Sequence, residues 1–218
     1  MTISDIQHQI LTSDTFVLEE AAKIRALYGL RDVIRYDRTR EEDIYTQSVA
    51  EHTFNMQAVA QYFLALEDTS TQLDAQKIFR MITWHDIGEI ESGDVLGFLK
   101  TAQDKANDAA GNKKVIAQAP AVLQPEMQTL IVEYEAQKTL EAKFVKAIDK
   151  VEVIFEICDE NYRKIFKING TTTQHYEKTK SPYVLEYPYM RRFVDVIAHS
   201  LTEQGYFVDK PKSTKDLV

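Results

Sequence analysis

Apolar side chains recur every three or four residues along most of this chain, which is the spacing of one face of an α-helix. The pattern predicts helices over 14–29, 48–66, about 73–86, 101–118, 126–140, about 141–166 and from near Pro188 to about Gln204. The chain has only 7 glycines and 5 prolines in 218 residues, under half of the average usage of about 12%. Few turn-forming residues and long amphipathic segments predict an all-α fold, a single helical bundle over residues 1–218.

The segment 48–66 carries a histidine on its apolar face. Ser48 and Glu51 have the spacing of a capping box, so a helix should begin there. His52 follows within a stripe of apolar residues such as Met56. Taken alone, an inward histidine is more often a hydrogen-bonded core residue than a metal ligand.

A histidine and an aspartate are adjacent at the end of the segment 73–86. Ile78, Ile82 and His85 share one helical face, and Asp86 follows directly. Gly88 should break the helix, so the pair is expected in its last turn, where the partial negative charge of the backbone favours a cation. A charged carboxylate is rarely buried without a partner or a metal.

A second aspartate lies far downstream in a long helical segment. Asp149 shares a face with apolar residues such as Val145, although alone it could be an ordinary buried ion-pair partner of Lys146 or Lys150. Imidazole nitrogens and carboxylate oxygens together suit a divalent metal. The predicted ligands of such a site are His52, His85, Asp86 and Asp149.

The ordered set of His, His-Asp and Asp resembles the HD-domain metal-dependent phosphohydrolases. The blocks 48–52, 85–94 and 141–150 are similar to the branch that contains bacterial 5′-deoxynucleotidases. The resemblance implies a helical domain with its metal site between helices, core motifs over about 20–160 and a helical C-terminal extension over about 165–218. It also implies one divalent ion, and it leaves open whether that ion is Mn, Co, Fe, Ni, Zn or Mg.

The resemblance further implies hydrolysis of (deoxy)nucleoside 5′-monophosphates to nucleoside and phosphate, with Glu89 and Asp94 functionally required. We expect Glu89 to position or deprotonate the attacking water and Asp94 to assist at the leaving 5′-oxygen. Arg35 aligns with an arginine that faces the phosphate in that branch, a role that suits a guanidinium because it can donate two parallel hydrogen bonds. Tyr36 stands where the branch has a tryptophan that packs against the sugar.

Differences from other branches of the HD-domain phosphohydrolases narrow the range of expected activities. Two-metal HD phosphodiesterases need further histidine ligands before the last aspartate, and residues 87–148 contain no histidine. Stringent-nucleotide hydrolases carry a Glu-Asp pair after their His-Asp motif, whereas Glu89 is followed by Ile90. Two alternatives stay open, namely a non-catalytic metal- or nucleotide-binding regulator and a hydrolase of another small phosphate ester.

Composition and charge bear on partners and location. The net charge is −8, without a dense cluster of lysine and arginine, which argues against a nucleic-acid polymer as partner. No apolar stretch approaches the roughly 20 residues that span a bilayer, and no signal-peptide pattern is evident. The single cysteine, Cys158, cannot form an internal disulfide, so we expect a cytoplasmic protein. The aromatic residues between Tyr183 and Phe193 could form a homodimer surface, although core packing is the expectation.

Overall fold

The helical spacing of apolar residues is realised as helices in the part of the chain that the structure describes. The computed structural model describes residues 1–38, 46–67, 73–97 and 99–208, and of residues 37 and 38 it describes only the backbone. Within these residues the protein is all-α, as predicted, and an isolated antiparallel bridge joins Ile34 to Ser48. The α-helices are α1 (Ile3–Thr12), α2 (Asp14–Ala26), α3 (Arg35–Arg38), α4 (Val49–Glu67), α5 (Ala75–Trp84), α6 (Glu89–Ser92), α7 (Ala102–Gln118), α8 (Gln124–Ala136), α9 (Leu140–Glu156), α10 (Glu160–Asn169), α11 (Thr173–Lys180) and α12 (Pro188–Glu203).

Two 3₁₀ helices, Leu27–Asp32 and Ser181–Tyr183, complete the described elements. None of the helices described is both long and apolar enough to cross a membrane. The part of the predicted C-terminal extension beyond residue 208 lies outside the described residues.

The start of α4 confirms the predicted capping box. The backbone N–H of Ser48 donates to Glu51 Oε2 at 2.5 Å, and the backbone N–H of Glu51 donates to Ser48 Oγ at 3.2 Å. These two bonds satisfy donors that have no partner inside the helix. They also set the rotation of α4 from its first turn, and with it the side of the helix on which His52 lies.

Several helix boundaries differ from the sequence prediction. Helices α8 and α9 are separate, as the two predicted segments 126–140 and 141–166 are, but the break comes earlier than predicted: Gln137 is left-handed, with a φ of 52°, and Thr139 caps α9. The predicted helix 141–166 is two helices, since α9 ends at Glu156 and Asp159 caps α10. No helix was predicted at α1 or α11, although each begins after a threonine cap that was the available signal.

Helix α9 is the centre of the bundle. Ten of its 17 residues are buried, and α4, α5, α8 and α12 pack around it. Phe144 and Ile148 of α9 belong to one core cluster with Phe63 of α4 and Ile82 of α5. Complete burial of such a side chain contributes about 1.5–3 kcal/mol. Because α9 is surrounded on most sides, its acidic residues Asp149 and Glu152 are held inside the protein.

The turn that follows α5 is packed against α7 through two glycines. A Cβ on Gly111 of α7 would lie 2.5 Å from the carbonyl oxygen of Gly88 in that turn. A Cβ on Gly88 would lie 2.4 Å from Asn112 Oδ1 and 2.8 Å from the backbone nitrogen of Asn112. Atoms cannot approach so closely, so α7 reaches the turn only because both residues lack side chains.

We expect Gly111→Ala to destabilise the protein. In an ordinary helix interior alanine is more stable than glycine by roughly 0.5–1 kcal/mol. Here overpacking against the backbone should reverse the sign and cost about 1–3 kcal/mol. Urea unfolding measures this, with Gly97→Ala as the control, because its added Cβ would meet no described atom within 4 Å. A Gly111→Ala protein as stable as the parent would contradict the close approach.

Candidate active site

Three parts of the bundle bring the four predicted ligands together. His52 lies on α4, Asp149 lies on α9, and His85 and Asp86 lie in the turn after α5. His52 Nε2 is 3.6 Å from Asp149 Oδ1 and 4.0 Å from Asp86 Oδ2, and His85 Nε2 is 2.9 Å from Asp86 Oδ2. One ligand atom each from His52, His85 and Asp86 lies within 4.8 Å of the other two. Helix α5 ends at Trp84, so the His-Asp pair follows the helix and does not form its last turn.

The hydrogen bonds of the two imidazoles determine which nitrogen of each ring carries a hydrogen and which has a free lone pair. His52 Nδ1 lies 2.6 Å from Glu152 Oε2, and His85 Nδ1 lies 2.8 Å from the carbonyl oxygen of Ile82. Both oxygens accept, so each Nδ1 carries the hydrogen and donates it, which leaves a lone pair on each Nε2. Both Nε2 atoms are buried, and neither has a hydrogen-bond partner among the described residues.

This donor set fits a divalent metal ion. With Asp86 and Asp149 ionised, the imidazole lone pairs and the carboxylate oxygens are all acceptors. Buried acceptors that face one another at these distances are unfavourable unless a cation lies among them. Imidazole nitrogen with carboxylate oxygen is a combination that binds divalent transition metals.

The two carboxylates differ in what holds them ionised. Burial would raise the pKa of Asp86, but positive charge beside it lowers that pKa below the usual value, first of all the charge of His85 when this imidazole is protonated. A cation bound between the two residues would act in the same direction with His85 neutral. Burial would also raise the pKa of Asp149, but Lys150 and Lys146 lower it well below the usual range. Both acids are therefore held in the charged form that a metal ligand requires.

Asp149 uses its two oxygens for different purposes. Its Oδ2 accepts from the hydroxyl of Tyr134 at 3.1 Å and pairs with Lys146 Nζ at 3.1 Å and Lys150 Nζ at 2.9 Å. Its Oδ1 faces His52 Nε2. The ion-pair interpretation and the ligand interpretation of Asp149 thus apply to different atoms of one carboxylate.

Glu152 is a residue of the site that the sequence prediction missed. It is 2% exposed, accepts from His52 Nδ1, and also lies 3.4 Å from Nε2 of Gln47. Burial would raise its pKa, but the partnership with His52 lowers it below the usual value. The available signal was its spacing of three residues from Asp149, which puts both acids on the inward face of α9. A carboxylate in this position orients a ligating imidazole and makes it more basic.

Glu89 is the acidic residue at the start of α6, and it is buried beside the ligands. Burial first, and then the charges of Asp86 and Asp94, raise the pKa of Glu89 well above its usual value. Its Oε2 is buried and has no hydrogen-bond partner among the described residues. A buried carboxyl group that can hold a proton next to other polar groups is suited to general acid or base chemistry.

Asp94 joins the predicted arginine–tyrosine pair to the rest of the site. Its Oδ2 accepts from the backbone N–H of Tyr36 at 3.1 Å and lies 3.7 Å from Arg35 Nε. Burial would lower the pKa of Arg35, but Tyr36, Asp94 and Glu152 together raise it well above the usual value. The guanidinium therefore stays charged although it is largely buried.

Tyr36 has an unusual backbone conformation. Its φ is 64°, in the left-handed region, which for a residue with a side chain costs on the order of 1–3 kcal/mol. The bond from its N–H to Asp94 helps to hold this conformation. The ring is 7% exposed and packs edge-on against Tyr162, with the centroids 5.6 Å apart. Contact between this ring and a sugar stays a prediction.

Solved structures share this fold. A predicted metal-dependent phosphohydrolase from Magnetospirillum magnetotacticum superposes with a TM-score of 0.73 at 19% identity, covering 88% of this chain and 98% of that chain. An HD-domain phosphohydrolase from Listeria innocua superposes with a TM-score of 0.60 at 23% identity, covering 84% of this chain and 88% of that chain. At such identities the similarity shows the fold alone.

Sequence comparison identifies the family to which the chain belongs. The 5′-deoxynucleotidase HDDC2 of Xenopus laevis is 28% identical over 139 residues, which are 63% of this chain and 66% of that protein. The match thus spans slightly less than two thirds of the length of that relative. The model of the HD domain family matches residues 28–189, which include every predicted ligand. The chain therefore belongs to the HD domain family, and the resemblance to the HD-domain metal-dependent phosphohydrolases is confirmed.

Proposed function

We propose that this protein is a metal-dependent phosphomonoesterase that hydrolyses (deoxy)nucleoside 5′-monophosphates to nucleoside and phosphate. The observation that carries the proposal is the pair of buried Nε2 atoms of His52 and His85, which have no hydrogen-bond partner among the described residues and face Asp149 and Asp86. The similarity to the 5′-deoxynucleotidase HDDC2 supports the choice of a 5′-nucleotide as substrate.

The residues that would hold one divalent ion are His52, His85, Asp86 and Asp149. Such an ion would supply Lewis-acid polarisation of the phosphate and a lowered pKa for water. The chain itself supplies the orientation of the ligands. Glu152 and the carbonyl of Ile82 fix the tautomers of the two histidines, and Lys146 and Lys150 occupy the outer oxygen of Asp149.

We propose that the carboxyl group of Glu89 donates the proton that the leaving 5′-oxygen needs. Its carboxyl group is buried beside Asp86, and its raised pKa lets it hold a proton that an ordinary glutamate would lose. It therefore combines access to the ligand cluster with two usable protonation states.

The contacts of Asp94 favour a division of roles that differs from the one that the sequence suggested. Its Oδ2 already accepts from the backbone of Tyr36 and pairs with Arg35. We therefore assign Asp94 the positioning of Arg35, whose guanidinium would receive the phosphate with paired hydrogen bonds. Proton transfer at the leaving 5′-oxygen is then left to Glu89.

A phosphate-release screen tests the proposed function. After chelation and addition of single metals, we expect release from nucleoside 5′-monophosphates, no release without metal, and a modest preference for dAMP over AMP. The variant Tyr36→Phe removes only a buried hydroxyl. If the ratio of kcat/KM for dAMP to kcat/KM for AMP is equal in this variant and the parent, the hydroxyl does not discriminate between deoxyribose and ribose. Metal binding without hydrolysis of any phosphate ester would favour the regulatory alternative.

The ligand assignment predicts loss of metal and activity together in Asp86→Ala, with helicity largely retained. Glu152→Gln keeps every ligand but weakens the acceptor on His52, so metal affinity should fall by about 10- to 100-fold. Asp195→Ala, at an exposed position on α12, is the matched control and should behave as the parent. Elemental analysis that finds stoichiometric metal in Asp86→Ala would exclude Asp86 as a ligand.

The division of roles predicts different kinetics for two isosteric variants. Glu89→Gln should lower kcat by about 10²- to 10⁴-fold with metal still bound, because the proton-transfer group is gone. Asp94→Asn retains an acceptor for the Tyr36 N–H but loses the charge beside Arg35, so it should raise KM more than it lowers kcat. Near-normal turnover in Glu89→Gln would remove Glu89 from the mechanism, and a pure loss of kcat in Asp94→Asn would contradict its positioning role.

A further inference from the structure

A buried lysine approaches the site from a helix that the sequence prediction did not include. Lys180 is the last residue of α11 and is 7% exposed. Helix α11 and the 3₁₀ helix that follows it pack on α9, where Lys150 Nζ lies 5.9 Å from the centroid of the Tyr183 ring. Lys180 is close enough to Lys150, Asp149 and Arg35 for their charges to affect it.

No carboxylate of the described residues forms an ion pair with the ammonium of Lys180. Within the part of the chain that the structure describes, its recorded contact is the ring of Tyr176, with Nζ 5.6 Å from the ring centroid. The nearby carboxylates are already engaged: Asp149 pairs with two other lysines, and Glu152 is bonded to His52. Lys180 therefore differs from Lys146 and Lys150, which both pair with Asp149.

An unpaired buried ammonium is costly to maintain. Burial, and next the charge of Lys150, lower the pKa of Lys180 to about 7. Replacing the lysine with an apolar side chain of similar length would remove this cost. A group that supplied negative charge at the site would also remove it, and would bind more tightly as a result.

We propose that Lys180 binds the phosphate of the substrate together with Arg35, as a residue that the C-terminal half of the chain contributes to the site. The inference rests on the proposed function, since a phosphate ester is the anion that this site would receive. Lys180 comes from α11 and Arg35 comes from α3, so the two cations approach from separate elements. A compact ammonium binds phosphate as a point charge, which complements the planar guanidinium.

The test measures binding of inorganic phosphate by titration calorimetry to the Mn²⁺-loaded protein, without turnover. We expect Lys180→Met to weaken phosphate binding by about 10- to 100-fold, the range for loss of a hydrogen bond to a charged group. Lys180→Arg keeps the charge and should retain most of the affinity. The control is Lys178→Met, two residues earlier on the same helix and exposed, which should bind as the parent does.

Thermal denaturation of the same variants separates binding from structure. Lys180→Met should melt at or above the temperature of the parent, because an unpaired buried charge has been removed. Its KM for a hydrolysed nucleotide should rise by the same factor as the phosphate dissociation constant, with a smaller change in kcat.

Three outcomes would overturn the inference. They are unchanged phosphate affinity in Lys180→Met, a lowered melting temperature with phosphate affinity intact, and an equal loss of affinity in Lys178→Met. If phosphate affinity is unchanged in Lys180→Met while the parent hydrolyses nucleotides, the role of Lys180 is wrong and the proposed function still stands. Conversely, weakened phosphate binding in Lys180→Met with no nucleotide hydrolysis by the parent would support the role of Lys180 and remove the proposed function.

Discussion

A buried histidine needs a suitable neighbour at each ring nitrogen, and at His52 this requirement connects most of the site. Glu152 accepts from Nδ1, while Nε2 faces Asp149 and Asp86. An unsatisfied polar group in such a place costs about 1–3 kcal/mol. Helices α4 and α9 must therefore meet in one register, and the large apolar side chains packed around α9 hold them there. The core thus keeps the candidate metal ligands in register as well as stabilising the fold.

Charge is arranged in layers around this histidine. Asp149 separates a cationic side, formed by Lys146 and Lys150 at one oxygen, from the ligand side at the other. Asp94 pairs with Arg35, and its charge helps to keep the guanidinium charged although it is buried. With a divalent ion held by these acids, a phosphate group that also reached Arg35 would have positive charge on both sides. The acidic net charge of the whole chain does not describe this local field.

Locally costly features surround the site, and tertiary contacts maintain them. The backbone of Tyr36 is in the left-handed region, and its N–H donates a hydrogen bond to Asp94. The turn that carries the His-Asp pair is pressed against α7 at the contact between Gly88 and Gly111. Such features persist when the surrounding structure over-determines them, and they are concentrated where geometry matters for function.

The sequence alone determined the all-α fold, the inward faces of α4 and α9 and the residues that the family motifs carry, because helical spacing and a capping box are local properties. The tertiary structure decided the rest. Glu152 is 100 residues from His52 along the chain, and no local pattern states that the two side chains are bonded. The split between α9 and α10 and the inward direction of Lys180 likewise depend on packing between distant elements. Periodicity tells which side of a helix is buried, but only the assembled bundle determines which buried groups meet.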